Sequence, residues 1–434
     1  MRRRILGGAV VAVCAIGLVS LARRSLEVGG VAHATAMDEP LAKAAQGPFA
    51  PPQPPPPPPM PGLDLTKIGL DDKGVSAPMS DHRVARLTID ADLQRHALTV
   101  MAAHKLPEAA IVMIDPETGH VLVYASHIEG ATATRDLCSE ATAPAASVFK
   151  IVTGASLVEN AGLTPDTKQC FSGGEQKILA SDLEDDPVRD RWCSTLSGAM
   201  GRSINTVFAR LALKHLKPPV LEETARGFGF GEPVPFDVPV QPSVIHLPVD
   251  TLGFARTAAG FWNTTLSPLE AAQLSTTVAR GGEPVRPMIV SAVTEANGQP
   301  VWTAAASPIT MKRAITAQTA QAVTTMMEHT VVEGTCYRAF HDGKGTAFLP
   351  GIAVAGKTGT LTDDKARRFY TWFTGFAPSK PMPGVKQVAV AVLVVNLPTW
   401  QVKANVVARE MLHAYFLQQK VPGMLRPPRI AHKD

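Results

Sequence analysis

Residues 388–397 are apolar at nearly every position, without the polar–apolar alternation of a half-exposed strand. Such a run predicts a strand buried on both faces, and therefore the middle of a sheet covered by helices on each side. Residues 352–360 and 370–376 read as two more strands just upstream. Residues 109–114 and 120–125 read as an earlier hairpin joined through the turn Asp115-Pro116-Glu117-Thr118-Gly119. Between 147 and about 282 the periodicity is helical; after Pro287 strands return, followed by a helix over 317–329 and a closing helix within 397–416. The pattern predicts an α/β chain of the α+β kind: a five-stranded antiparallel sheet flanked by helices, with an all-α insert between its early and late strands.

The insert opens on Ala145-Ala146-Ser147-Val148-Phe149-Lys150. Phe149, Val152, Ala155 and Val158 recur at helical spacing until Asn160 and Gly162 end the run, which places the helix start near Ser147. Residues i and i+3 share a helix face, so the Lys150 amine can lie against the Ser147 hydroxyl. A serine needs an adjacent base to attack a carbonyl, and a lysine desolvated among apolar neighbours can be neutral enough to take that proton. The helix N-terminus favours an oxyanion formed there. A lone Ser-x-x-Lys also describes a capped core helix with a snorkelling lysine, so two further motifs matter: Ser203-Ile204-Asn205, ahead of a helix with Val207, Leu211 and Leu213, and Lys357-Thr358-Gly359-Thr360 after an apolar run.

Ser-x-x-Lys, Ser-x-Asn and Lys-Thr-Gly in this order resemble the penicillin-binding protein transpeptidases and the serine β-lactamases. The resemblance covers about residues 86–418, and the five-stranded architecture agrees with it. It implies that Ser147 attacks the D-alanyl-D-alanine bond of a peptidoglycan stem peptide, with Lys150 as base. It further implies Ser203 as proton relay, Asn205 holding the peptide amide and Lys357 supplying positive potential. Thr358 and Thr360 would receive the terminal carboxylate, and the backbone N–H groups of Ser147 and Thr360 would form the oxyanion hole. Gly359 would leave room for the substrate backbone. β-Lactams would acylate the same serine.

A D,D-carboxypeptidase shares all three motifs. A β-lactamase needs a deacylating base, and no Glu-x-x-Leu-Asn stretch follows Ser203. A non-catalytic β-lactam sensor or scaffold calls for a damaged motif or a signalling domain, neither of which is visible.

Outside this body the composition shifts. Residues 5–22 carry no charge over 18 positions, about 27 Å as a helix and close to the hydrocarbon core of a bilayer. They read as an anchor or a signal peptide: Ser20-Leu21-Ala22 is a passable cleavage site, while Arg23-Arg24 directly after the run favours a retained anchor. Arg2, Arg3 and Arg4 lean toward an inside N-terminus, with the body exported across the cytoplasmic membrane. The net charge of +4, less those five arginines, leaves −1, so nucleic-acid binding is unsupported. Ten of 37 prolines fall within 48–61, and residues 25–85 read as a linker with a stiff polyproline section. The expected layout is 1–24 anchor, 25–85 linker, 86–418 catalytic body and 419–434 tail. It leaves no room for a large N-terminal domain, so a glycosyltransferase, if one cooperates, is expected as a separate partner in the membrane.

Cys-x-x-Cys and His-Glu-x-x-His are absent, which argues against a metal, and no cofactor is implied. Four cysteines in an exported body can form two bridges. Cys170 and Cys193 bracket a polar stretch with little apolar content to hold it, which predicts a bridge between them; Cys138 to Cys336 is the remaining pair.

Overall fold

The computed structural model describes residues 60, 62–72, 74–131, 135–174, 177–397 and 402–424. The chain divides into Met1–Pro54 and Pro55–Asp434. The first unit, with the expected anchor at 5–22, lies outside the described residues, as do most of the proline-rich stretch and residues 425–434. Among the described residues, no helix is long and apolar enough to cross a membrane.

In the second unit the central sheet has the order β12 (Ala355–Asp363), β13 (Arg368–Ala377), β14 (Val388–Asn396), β4 (Glu108–Ile114), β5 (Val121–Ile128). Every neighbouring pair is antiparallel. All five are the strands expected from the sequence, with shifted ends. β14 is buried at all nine positions. Ala389, Ala391, Leu393 and Val395 join the larger apolar cluster, while Val388, Val390, Val392 and Val394 join a second one on the opposite face. Burying each valine or leucine side chain among them contributes roughly 1.5–3 kcal/mol.

The second cluster is closed by α1 (Ala91–Ala103) and α10 (Ala404–Gln418) through Ala97, Val100, Met101, Val407, Met411 and Leu412. Asp90 caps α1, accepting from the N–H groups of Asp92 and Leu93. The insert lies with the larger cluster: α2 (Lys150–Ala161), α3 (Leu196–Arg202), α4 (Asn205–His215), α5 (Pro218–Gly227), α6 (Thr251–Ala258) and α7 (Pro268–Ala279). The insert is not all-α as expected, since two short pairs accompany these helices, β6 (Ala143–Pro144) with β9 (Thr265–Leu266), and β7 (Lys168–Phe171) with β8 (Trp192–Thr195). Ser267 caps α7, its hydroxyl accepting from the Glu270 N–H, with Pro268 at the first helical position. Thr374 then pins α7 to β13, its hydroxyl 2.6 Å from both Ala271 O and Ser275 Oγ. α8 (Ala317–Val332) and the single turn α9 (Tyr337–Phe340) lead into β12.

Two further expectations are corrected. Residues 62–85, expected to be linker, contain β1 (Gly69–Asp71) and β2 (Gly74–Pro78) and lead through β3 (Val84–Leu87) into a second five-stranded sheet with β10 (Val290–Thr294) and β11 (Pro300–Thr303). Their strands are three to five residues long. β3 pairs with β10 some 200 positions away, as Ala85 with Val293, so no local periodicity announces the sheet. The second correction concerns cysteine. Cys170 and Cys193 are bridged as expected, but Cys138 and Cys336 are free and buried. Cys138 packs in the larger cluster and Cys336 in the one across the sheet, so the sheet itself separates them.

Ile111 on β4 is fully buried in the second cluster. Ile111→Ala is expected to lower the unfolding free energy by roughly 2–5 kcal/mol, measured by urea denaturation. A loss below about 1 kcal/mol would mean that this face is not packed as described.

Candidate active site

The chain enters the site through a tight turn. Ala146 has φ +49°, and residues Ala146–Phe149 form one 3-10 turn before α2 begins at Lys150. Ser147 is half-buried there, and Lys150 is fully buried. The Trp372 indole N–H on β13 donates to Pro144 O at 2.9 Å, tying the segment just ahead of the turn to the sheet. Gly260 faces the turn from beyond α6. It has φ +82°, and a Cβ on it would stand 2.5 Å from Ala146 O.

The Lys150 amine lies 2.8 Å from Ser147 Oγ and 2.7 Å from Asn205 Oδ1, and it also donates to Ala259 O. The Asn205 amide is oriented by its other end, since Nδ2 donates to Gly174 O at 3.3 Å. A neutral amine has two N–H bonds and one lone pair. With Asn205 Oδ1 and Ala259 O taking the hydrogens, the lone pair is left for the Ser147 hydroxyl. Burial, and secondarily the cation of Lys357, pushes Lys150 well below the usual lysine range. The Phe208 ring, its centroid 5.7 Å from Nζ, contributes to that dry wall.

Ser203 ends α3 in the left-handed conformation, φ +59°, and Asn205 starts α4. Lys357 on β12 is fully buried and donates to Ser203 Oγ at 3.0 Å and to Thr358 O at 2.8 Å. Burial lowers its amine to about 7, while the neighbouring Cys336 thiol acts in the opposite sense. The five expected residues therefore fall into two hydrogen-bonded sets, Ser147–Lys150–Asn205 and Ser203–Lys357, close enough for the charge of Lys357 to act on Lys150. Thr358 is half-buried and Thr360 exposed along β12, the edge strand of the sheet. Gly359 has a reason the sequence did not reveal: a Cβ there would come within 3.3 Å of Ala145 O and Ala146 Cβ and 3.2 Å of Trp372 Cβ. Glycine lets the strand close on the serine turn.

Three contributors were not singled out in the sequence. Ala259 acts through a backbone carbonyl, which no side-chain type encodes. Thr335 places its hydroxyl 2.6 Å from that of Thr358, donates its N–H to Gly201 O, and accepts at its carbonyl from Asn405 Nδ2. Arg210 on α4 is fully buried; it donates to Asp182 O and Cys170 O and pairs with Asp190, whose carboxyl it holds down to about 2. An arginine at helical spacing from the apolar Val207 and beside Leu211 was the available signal. With the Cys170–Cys193 bridge, Arg210 fastens α4, and hence Asn205, to the β7–β8 pair.

Residues 109–413 match the family described as penicillin binding protein transpeptidase domain. Among curated relatives, the peptidoglycan D,D-transpeptidase PbpA of Mycobacterium tuberculosis is 28% identical over 264 residues, which cover 59% of this chain and 50% of that protein. The chain thus spans about half the length of that relative. The crystal structure of PBPA from Mycobacterium tuberculosis superposes with a TM-score of 0.62 at 22% identity, over 76% of this chain and 80% of that one. The penicillin G acyl-enzyme complex of penicillin-binding protein A from the same organism gives a TM-score of 0.60 at 22% identity, over 76% and 80%. At that identity the superpositions speak for the fold.

The two buried amines lead to a prediction. In the full chain with 13Cε-labelled lysine, NMR titration is expected to show two resonances moving far below the normal lysine range, one of them with a midpoint near 7. Replacing Lys357 by Met removes a like charge beside Lys150, so the remaining shifted resonance should move to higher pH. Both amines staying protonated beyond about pH 9 would refute the described burial.

Proposed function

The chain belongs to the penicillin-binding protein transpeptidase family, and on that premise we propose that it is a peptidoglycan D,D-transpeptidase working through an acyl-enzyme at Ser147. The observation that carries the reading is the Lys150 amine, fully buried and 2.8 Å from Ser147 Oγ, where burial pushes it well below the usual lysine range. Lys150 removes the serine proton as the hydroxyl attacks the carbonyl of a D-alanyl-D-alanine bond. The Ser147 and Thr360 backbone N–H groups receive the oxyanion. Ser203, bonded to Lys357, passes a proton to the departing D-alanine nitrogen; Lys357 supplies positive potential without being the nucleophile. Asn205, bonded to Lys150, takes the stem-peptide amide.

β12 presents an unpaired edge beside the serine, and an extended peptide can add to such an edge through main-chain hydrogen bonds. Its terminal carboxylate then meets the Thr358 and Thr360 hydroxyls. β-Lactams enter as analogues of the same bond and acylate Ser147. In the cell, residues 5–22 hold the chain in the cytoplasmic membrane, with the folded body that follows the proline-rich stretch on the outer side near the lipid-linked glycan. A membrane glycosyltransferase supplies the strands that are cross-linked.

Against rapid hydrolysis of the acyl-enzyme, the carboxylates between α4 and α7 are engaged elsewhere. Glu222 pairs with Arg226, Asp237 with Arg286, and Asp250 caps α6. Glu223 and Glu232 line a cavity that contains none of the five site residues.

The full chain is to be incubated with a stem peptide ending in D-Ala-D-Ala and an amine acceptor, with products resolved by mass. Release of D-alanine with formation of the new peptide–amine bond is expected. Ser147→Ala should abolish it. Lys150→Arg, which keeps the charge but not the base, should lower it by several orders of magnitude. Hydrolysis alone would make the protein a carboxypeptidase. A labelled penicillin should stay bound at Ser147 for minutes to hours, a barrier above about 20 kcal/mol; release within a second would move it to the β-lactamases.

A further inference from the structure

A cavity apart from the active site lies against α7, mostly apolar in its lining but with a few polar side chains in its wall. It occupies about 580 Å³ and is bounded by the end of α5, the loop that follows it, one face of α7 and residues 311–314. None of the five residues around Ser147 lines it. Two side chains of α7 form part of its wall. Glu270 is 1% exposed and Gln273 5%, and they stand three positions apart on one helix face. Neither Glu270 Oε1 nor Gln273 Oε1 has a hydrogen-bond partner among the described residues. The Gln273 amide is fixed, because its Nε2 donates to Val285 O at 2.7 Å, so the oxygen is the end left over.

Buried acceptors of this kind are ordinarily satisfied, and two together on a cavity wall call for a donor brought from outside. Gly229 keeps the carboxyl uncovered: its φ is +106°, and a Cβ there would stand 2.3 Å from Glu270 Oε1. The solvent side of the cavity carries a different charge pattern. Arg226, Lys312 and Arg313 line it together with Glu223 and Glu232. Glu223 and Arg226 come from α5, Glu232 from the loop, and the exposed Lys312 and Arg313 from the 311–314 segment.

We propose that this cavity binds a small zwitterionic amine, its ammonium held by Glu270 Oε1 and Gln273 Oε1 and its carboxylate received by Lys312 and Arg313. The site is separate from acyl transfer and does not rest on that reading. Without a ligand, burial raises the Glu270 carboxyl to about 8, so at neutral pH it is protonated. An arriving ammonium stabilises the carboxylate, and the displaced proton goes to solvent.

Calorimetry on the full chain at pH 7 tests the site with three chains of equal length, 6-aminohexanoate, hexylamine and hexanoate, each in two buffers of different ionisation enthalpy. 6-Aminohexanoate is expected to bind and to release close to one proton per molecule. Hexylamine should bind about tenfold more weakly, and hexanoate more weakly still. Glu270→Gln, with its fold checked by circular dichroism, should lose the proton release and weaken 6-aminohexanoate about tenfold. Should that variant not fold, Lys312→Ala and the proton release of the unaltered chain decide the matter: Lys312→Ala should weaken 6-aminohexanoate and leave hexylamine unchanged. No binding of 6-aminohexanoate, equal binding of hexanoate or hexylamine, or binding without proton release would overturn the proposal.

Discussion

The contact between the Lys150 amine and the Ser147 hydroxyl is the constraint the site is built around. A buried ammonium with no carboxylate at hand is costly, so the charge is given up instead. The chain then supplies what a neutral amine requires: two acceptors, from the first residue of α4 and the residue after α6, and a hydroxyl facing the lone pair. Three segments distant in sequence are thereby set around one nitrogen. Thr153 reinforces the arrangement a turn further along α2, donating to Ala258 O at 2.8 Å.

The other half of the site arrives through the sheet. β12 follows α2 by some 200 residues, yet it must approach the serine turn to within van der Waals distance. Glycine at 359 allows this, and the Trp372–Pro144 bond holds the turn against β13. Lys357 sits opposite Thr374 in the register with β13, and Thr374 is the residue that pins α7. The core behind the sheet and the position of the second amine are in this way mechanically linked. Thr335 adds a tie between α3, β12 and α10, joining the elements that carry Ser203, Thr358 and Asn405.

Much of this was legible because its signals are local. An apolar run without alternation announced β14, i to i+3 spacing announced the Ser147–Lys150 pair, and a polar stretch between two cysteines announced the Cys170–Cys193 bridge. What was missed depends on distant partners. Residues 69–87 make short strands that pair in turn and reach the rest of the sheet only through β3 and the distant β10, and composition made the same region look like linker. The supposed Cys138–Cys336 bridge failed for a related reason, since the face of a sheet on which a residue lies is a tertiary fact. Ala259, acting through its carbonyl, and Gly359, needed for its neighbours' sake, carry no signature in residue type or spacing.

The central claim is that Lys150 is the base, neutral beside a Lys357 that still holds its charge. The pH profile of the second-order rate of acylation by a penicillin tests it most directly. The rate should rise on the acid side as Lys150 loses its proton. It should fall through an apparent value near 7 as Lys357 loses its own, the two limbs belonging to the coupled pair. In Lys357→Arg, whose charge persists, the alkaline fall should disappear. A rate unchanged between about pH 5 and pH 9 would contradict the account.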